Sequence, residues 1–241
     1  MINAIKNKVE EKQFNPGITG VFINPFFIAR KNLYKNIKDL GRHISGKTLD
    51  VGCGTKPYKA CFSSTVYIGL EYDTGIDKDK KKAEYYYSGD KFPFQDQQFD
   101  SVVTNQVLEH VFNPVEFIKE INRVLKLEGK LLLTVPFVWD EHEQPYDFGR
   151  YSSFGLIHLL EKNGFHIIEF RKSVNNIGVI FQLLNGYVYK KIRSVKMLKQ
   201  LVTVFIMAPV TLVGIFFSKI LPANNDLYLD NIVLAKKIKN V

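Results

Sequence analysis
The sequence predicts an α/β fold: seven strands in one sheet, helices on both faces, and a hydrophobic helical insertion before the last strand. Three observations predict it. Short apolar runs alternate with amphipathic stretches from Lys47 to Lys172, the pattern of a parallel sheet covered by helices. Two glycines stand directly behind the first of these runs, in "LDVGCG". Nineteen uncharged residues, "QLVTVFIMAPVTLVGIFFS", lie between the sixth run and the seventh. A chain of 241 residues is long enough for one domain with an elaboration. The expected organisation is an N-terminal helical segment over 1–46, a core over 47–174 plus 223–241, and a basic and hydrophobic insertion over 175–222.

The strands read in order as "TLDV", "TVYIGL", "EYYYS", "FDSVVT", "KLLLTVP", "FHIIEF" and, after the insertion, "LYLDNIVLAKK". The best-marked helix is "NPVEFIKEINRVLKLEG". Asn113 is expected to cap it, with Pro114 at the first helical position and Glu116 where a capping-box acid reaches back. Phe117, Ile118, Ile121, Val124 and Leu125 form its apolar stripe, and Gly129 is expected to end it. A second helix, "SSFGLIHLLEKNG", is stopped at Gly164.

The net charge of +9 is unevenly spread. Residues 1–47 carry +6, residues 48–174 carry −4, and residues 175–222 carry +6 with no acidic residue. The basic charge therefore sits on the flanks while the glycine-bearing middle is acidic, so an anionic partner is expected beside the site rather than in it. No aromatic-interleaved basic face accompanies the glycines, which argues against nucleic acid. The N-terminus "MINAIKNKVEEK" lacks the apolar stretch of a secretory signal. Cys53 and Cys61 read as two reduced thiols of a cytoplasmic protein, Cys53 as a small packing residue.

Glycines at the carboxyl end of a first strand let a ligand lie against bare backbone. A dinucleotide fingerprint asks for a third glycine, but the run here is Gly52-Cys-Gly54-Thr-Lys-Pro57. Asp50 stands two residues before the first glycine, which suits a ligand bearing an ammonium and a sulfonium and repels a pyrophosphate. In "YIGLEYD", Glu71 ends the second strand where a carboxylate accepts both hydroxyls of a ribose, with Asp73 as its rival. In "SGDKFPF", Asp90 reads either as an acceptor for an adenine amino group or as a turn residue.

Together, "LDVGCGTKPY", "GLEYD", "GDKFPF", "FDSVVTNQVLEHV" and "GKLLLTVP" resemble, in order and spacing, the class I S-adenosylmethionine-dependent methyltransferases. The resemblance covers about Lys47 to Lys172 and implies a Rossmann-like seven-stranded methyltransferase sheet with S-adenosylmethionine across the carboxyl ends of its strands. It implies contacts from Asp50, Gly52 and Gly54 to the methionine part, Glu71 to the ribose and Asp90 to the adenine, with Asn105 near the methionine or sulfonium. Pro57 departs from the pattern, where many members have a small residue.

The acceptor side is expected in "PFVWDEHEQPYDFGRYSSFG", which follows the fifth strand and holds the densest polar cluster of the chain. His142 is the candidate general base, since imidazole titrates near neutrality; the other reading is a surface histidine. His110 is the second candidate. Trp139, Tyr146, Asp147, Arg150 and Tyr151 are candidate substrate-binding residues, Arg150 reading either as a clamp on an acidic substrate or as the ion-pair partner of Asp147. No metal is expected, because Asp140, His142 and Glu143 match no ligand spacing.

The uncharged run of the insertion is close to the length of a bilayer span. The strands before and after it must join one sheet, which argues against a single crossing, and Pro209 and Gly214 are expected to break or bend the helix. Two readings stand: a segment lying in one membrane leaflet beside "YKKIRSVKMLK", or a helical cap buried on the domain or in a homodimer. The expected activity is methyl transfer to an oxygen or carbon of a small or lipid-linked acceptor, such as a lipid-carried saccharide or a quinone precursor. The alternative is a catalytically inactive methyltransferase-fold protein docking on a membrane or partner.

Overall fold
A computed structural model of the chain describes residues 13–74, 81–89, 91–192 and 196–241. The expected seven strands are present in one sheet: β1 Ser45–Val51, β2 Ser63–Tyr72, β3 Tyr85–Tyr87, β4 Phe99–Asn105, β5 Leu125–Pro136, β6 Phe165–Ser173 and β7 Asp230–Lys237. Their order across the sheet is β3-β2-β1-β4-β5-β7-β6. The pairs β1·β2, β2·β3, β1·β4 and β4·β5 are parallel. The chain steps outward from β1 to β3, then crosses back to lay β4 on the other side of β1. Loops leaving the carboxyl ends of β1 and β4 therefore part in opposite directions and open a crevice there.

Register fixes what lines that crevice. Val51 lies opposite Leu70 on one side and Thr104 on the other, so the next residues, Gly52, Glu71 and Asn105, emerge at one level. Thr48, Leu49, Asp50 and Val51 are all buried, as a central strand covered on both faces requires. The core around them gathers Leu49, Leu70, Val102, Leu131, Leu133 and Val135 from the strands with Ile118, Ile121 and Leu156 from the helices.

Helix α1 spans Phe27–Leu40, α2 Pro114–Val124 and α3 Ser153–Lys162. Pro114 occupies the first turn of α2 as expected, but the Asn113 side chain makes no capping hydrogen bond. The helix also ends earlier than the pattern suggests: Leu125 through Gly129 already belong to β5, where Leu125 pairs with Phe99. The stop comes from the far end of the chain. The fully buried Lys237 donates Nζ to the carbonyls of Asn122 at 2.6 Å and Leu125 at 2.7 Å, placing a cation where the last carbonyls of α2 collect negative charge. Gly129 instead sits inside the strand, where a Cβ would come within 2.8 Å of both Leu125 Cγ and the Lys126 carbonyl. In α3, Ser152 caps by accepting from Gly155 N–H. Gly164 ends it with φ +83°, and a Cβ there would lie 2.6 Å from the Lys239 carbonyl.

The chain divides into two compact units. Of the described residues, those within 36–137, 141–171 and 231–241 form one, and those within 13–35, 138–140 and 172–230 the other. In the second unit, α4 Gly178–Ile192 precedes α5 Lys196–Val202, a π turn Thr203–Met207 and α6 Ala208–Ile220. Of the break or bend expected at Pro209 and Gly214, the break does not occur: the helix runs on from Met197 to Ile220. The π turn stands immediately before Pro209, where widening of the helix accommodates its missing N–H. Gly214 lets α4 approach, since a Cβ would meet the Phe181 side chain at 2.7 Å. Asn185, buried in α4, donates to Thr211 Oγ1 at 2.8 Å and locks the pair of helices. A small apolar core of Ile28, Val174, Val179 and Leu229 closes the unit.

The continuous helix Met197–Ile220 is long and apolar enough, by length and composition, to cross a membrane, and 28% of its apolar window is buried. Phe205, Phe216 and Ile220 are among its exposed side chains.

Candidate functional site
The turn behind β1 is built by backbone that only glycine adopts cheaply. Gly52 and Gly54 have φ of +71° and +50°. A Cβ on Gly52 would collide with Val107, so this glycine is required by packing. A Cβ on Gly54 would meet nothing within 4 Å, so its bare face borders open space. Gly52 N–H donates to the Leu70 carbonyl at 2.8 Å and ties the turn to β2.

Two buried carboxylates frame this turn. Glu71 accepts from Gly54 N–H at 2.5 Å through Oε1 and from Lys81 Nζ at 2.7 Å through Oε2. Of the two acids considered for the ribose, the structure brings Glu71 to the glycines. A carboxylate offers about four acceptor sites, so two vicinal hydroxyls can share it. Asp50 accepts from the Tyr67 hydroxyl at 2.6 Å. Burial pushes its carboxyl up to about 7, against the pull of Tyr67 and Lys56. This group is short of positive charge, and an ammonium brought beside it would hold it ionised. Open space over Gly54, a ribose-sized acceptor and a buried acid awaiting a cation together fit S-adenosylmethionine. Burial pushes the Cys53 thiol upward, which agrees with packing and not with a nucleophile.

Asn105 ends β4 beside Thr134, whose Oγ1 lies 3.4 Å from Asn105 Oδ1. Asp90, the expected adenine acceptor, lies outside the described residues.

Apart from Trp139, the acceptor-side candidates form a second cluster in the same unit. Val107, packed on Gly52, leads into a 3₁₀ turn, Leu108–His110, which carries Glu109 fully buried. His110 Nδ1 lies 2.7 Å from the Tyr146 carbonyl, and its ring meets that of His142 edge-on at 4.9 Å. Burial draws the His110 imidazole below its ordinary value despite that carbonyl, which keeps the ring neutral near pH 7. His142 is pinned twice by Asp147 Oδ2: its backbone N–H donates at 2.9 Å and its Nδ1 lies at 3.3 Å. Asp147 is in turn held by a bidentate pair from Arg150, at 2.5 and 2.7 Å. Burial pushes the Asp147 carboxyl up, but the bonds from Arg150 and the His142 amide outweigh it and hold it at about 2.

Arg150 thus takes the second of its two expected readings, the ion pair, and the pair positions His142. Tyr151 is half-buried, and burial together with the Glu109 charge pushes its hydroxyl up to about 12. Tyr146 contributes its carbonyl while its side chain is exposed. Trp139 belongs to the other unit, where it packs edge-on against Phe26 at 5.8 Å. Sequence reasoning passed over Glu109 and Tyr67. The signal for Glu109 was an acid between apolar residues, in "VLEHV".

Residues 49–133 match the family described as "Methyltransferase domain". An uncharacterized protein of Methanocaldococcus jannaschii is 27% identical over 163 residues, covering 62% of this chain and 80% of that protein. A demethylmenaquinone methyltransferase of Staphylococcus haemolyticus is 30% identical over 109 residues, 40% of this chain and under half, 46%, of that protein. Among solved structures, phosphoethanolamine N-methyltransferase 2 of Haemonchus contortus, in complex with S-adenosyl-L-methionine, gives a TM-score of 0.54 at 16% identity, over 95% of this chain and 59% of that one. The YcgJ protein of Bacillus subtilis gives 0.52 at 16% identity over 86% and 98%. The cyclase SpnF gives 0.51 at 17% identity over 87% and 81%. At these identities the solved structures share the fold.

Proposed function
We propose that this chain is a class I S-adenosylmethionine-dependent methyltransferase, on the match of residues 49–133 to a methyltransferase domain, and that it methylates an oxygen or carbon of a small or lipid-linked acceptor at a membrane surface. The observation that carries the reading is the turn behind β1, where Glu71 accepts from Gly54 N–H at 2.5 Å and a Cβ on Gly54 would meet nothing within 4 Å, with the buried Asp50 four residues earlier in β1.

Asp50, Gly52 and Gly54 would hold the methionine part, Glu71 the ribose, Asp90 the adenine, and Asn105 the edge of the crevice nearest the sulfonium. When bound, the cofactor supplies a methyl group on a sulfonium, already activated for displacement. The protein's task is alignment, for which effective molarities on the order of 10⁵ M or more are available. His142 and His110 present nitrogen lone pairs to the acceptor. His142 takes the proton of an acceptor hydroxyl, held in the required tautomer by Asp147, which Arg150 keeps ionised. Tyr146 and Tyr151 are proposed to line the acceptor's approach.

The lipid-linked acceptor is favoured by the exposed apolar helix and the lysines that accompany it. Lys190, Lys191, Lys199 and Lys219 lie in or beside this segment, which holds no acidic residue; each basic residue near an anionic leaflet is worth about 1 kcal/mol. Strands β6 and β7, adjacent in the sheet, bracket the insertion. A single crossing would strand them on opposite sides. The 15 residues of α4 reach about 22 Å at 1.5 Å per residue, short of a hydrocarbon core of about 30 Å. Lying in one leaflet satisfies both constraints. A quinone precursor is one such acceptor, in keeping with the demethylmenaquinone methyltransferase among the relatives.

Incubation with methyl-labelled S-adenosylmethionine tests this, with a total lipid extract and an aqueous metabolite extract as separate acceptor pools. Label is expected in the lipid pool and lost with His142→Ala. Label in the aqueous pool alone would contradict the lipid acceptor, and label in neither would contradict turnover.

A further inference from the structure
We propose that Glu109, His110 and His142 form a binding site for one divalent cation of the zinc class. Their ligand atoms lie within 4.8 Å of one another, all in the same compact unit. Metal–nitrogen and metal–oxygen distances are about 2.0–2.2 Å, so modest side-chain rotation closes the set around an ion.

The supporting shell is already in place. The Tyr146 carbonyl can only accept, so His110 Nδ1 carries the proton and Nε2 keeps its lone pair, 3.8 Å from Glu109 Oε1. His142 Nδ1 faces the Asp147 carboxylate at 3.3 Å, which selects the same tautomer and leaves its Nε2 as a ligand. Metal-binding histidines ordinarily donate their other ring N–H to a carbonyl or carboxylate, and here one does each. The Arg150 pair on Asp147 fixes that carboxylate and keeps it ionised. Glu109 adds a wholly buried carboxylate, a position in which a charge is stabilised by a cation brought to it. Two imidazoles and one carboxylate suit borderline metals such as zinc over magnesium or calcium.

Ligand spacing does not reveal the set, because two of its three members stand some thirty positions before His142, in the 3₁₀ turn after β4. Three protein ligands leave a position open. With both imidazole lone pairs on the ion, the ion replaces His142 as the activator of the acceptor: an oxygen bound there has its pKa lowered and loses its proton to solvent as the methyl group is accepted. That role rests on the proposed methyl transfer; the binding does not.

The full chain, stripped with a chelator, is titrated with Co²⁺ alone, and the visible d–d absorption is followed before displacement by Zn²⁺. One Co²⁺ per chain is expected. His142→Ala and His110→Ala should each weaken binding at least about tenfold, the loss typical even of a lesser supporting group. His158→Ala, an exposed histidine on α3, should bind as the wild type. Absence of saturable Co²⁺ or Zn²⁺ binding, or wild-type affinity in a folded His142→Ala protein, would overturn the site. No donor is present, so failure here leaves the methyltransferase reading intact. Normal metal binding without turnover would count against that reading alone.

Discussion

Asp50 is the residue at which stability and binding pull in opposite directions. Its folded value of about 7 lies above the ordinary carboxyl value of 3.8, so between those values the folded state holds a proton that the unfolded state has lost. The contribution is present below the ordinary value and disappears as pH rises through about 7. Asp50→Asn should therefore be more stable than the wild type at pH 8, by something on the order of 2 kcal/mol, while binding S-adenosylmethionine at least about tenfold more weakly through loss of a charged contact. Thermal melts and titration calorimetry at pH 6 and 8 check both. Wild-type affinity should rise across that interval and the variant's should stay flat; a variant no more stable at pH 8 would contradict the burial argument. At this scale the sequence was most legible where chemistry and position coincide. The placing of Asp50, Glu71 and Asn105 near the carboxyl ends of β1, β2 and β4 follows from the apolar runs that mark those strands. Glu109 and the Tyr67–Asp50 bond do not, because burial of a polar group depends on packing that no local pattern encodes.

Elements were legible where they are amphipathic and less so where distant residues terminate them. The stripe of α2 announces its buried face, but its end is set by Lys237, more than a hundred residues away in sequence. The π turn before Pro209 is similarly invisible: a proline ordinarily signals a break, and a wider turn absorbed it. The exposed apolar helix makes the prediction that belongs here. The chain should sediment with vesicles containing anionic lipid and much less with neutral ones. Phe205→Glu combined with Phe216→Glu, both on exposed positions, should release most of the bound fraction, since a charge placed on that face opposes insertion. Wild-type protein remaining in the supernatant with anionic vesicles at low salt would contradict the membrane reading.

For the whole molecule, the alternation of runs was enough to predict seven strands in one sheet, but not their order across it, which depends on crossovers that no local pattern encodes. The order places the turn, Glu71 and Asn105 at one level of one edge, where β1 and β4 diverge. The shared fold alone does not carry activity, since a cyclase has it too; the proposal rests on the residues of the glycine turn. The most direct measurement is titration calorimetry of S-adenosylmethionine into the wild type and Glu71→Ala. One molecule should bind per wild-type chain, and the variant should keep the fold by circular dichroism yet lose binding by about a hundredfold, the cost of a buried charged acceptor for two hydroxyls. Equal affinity in both proteins, or no binding to the wild type, would contradict the account.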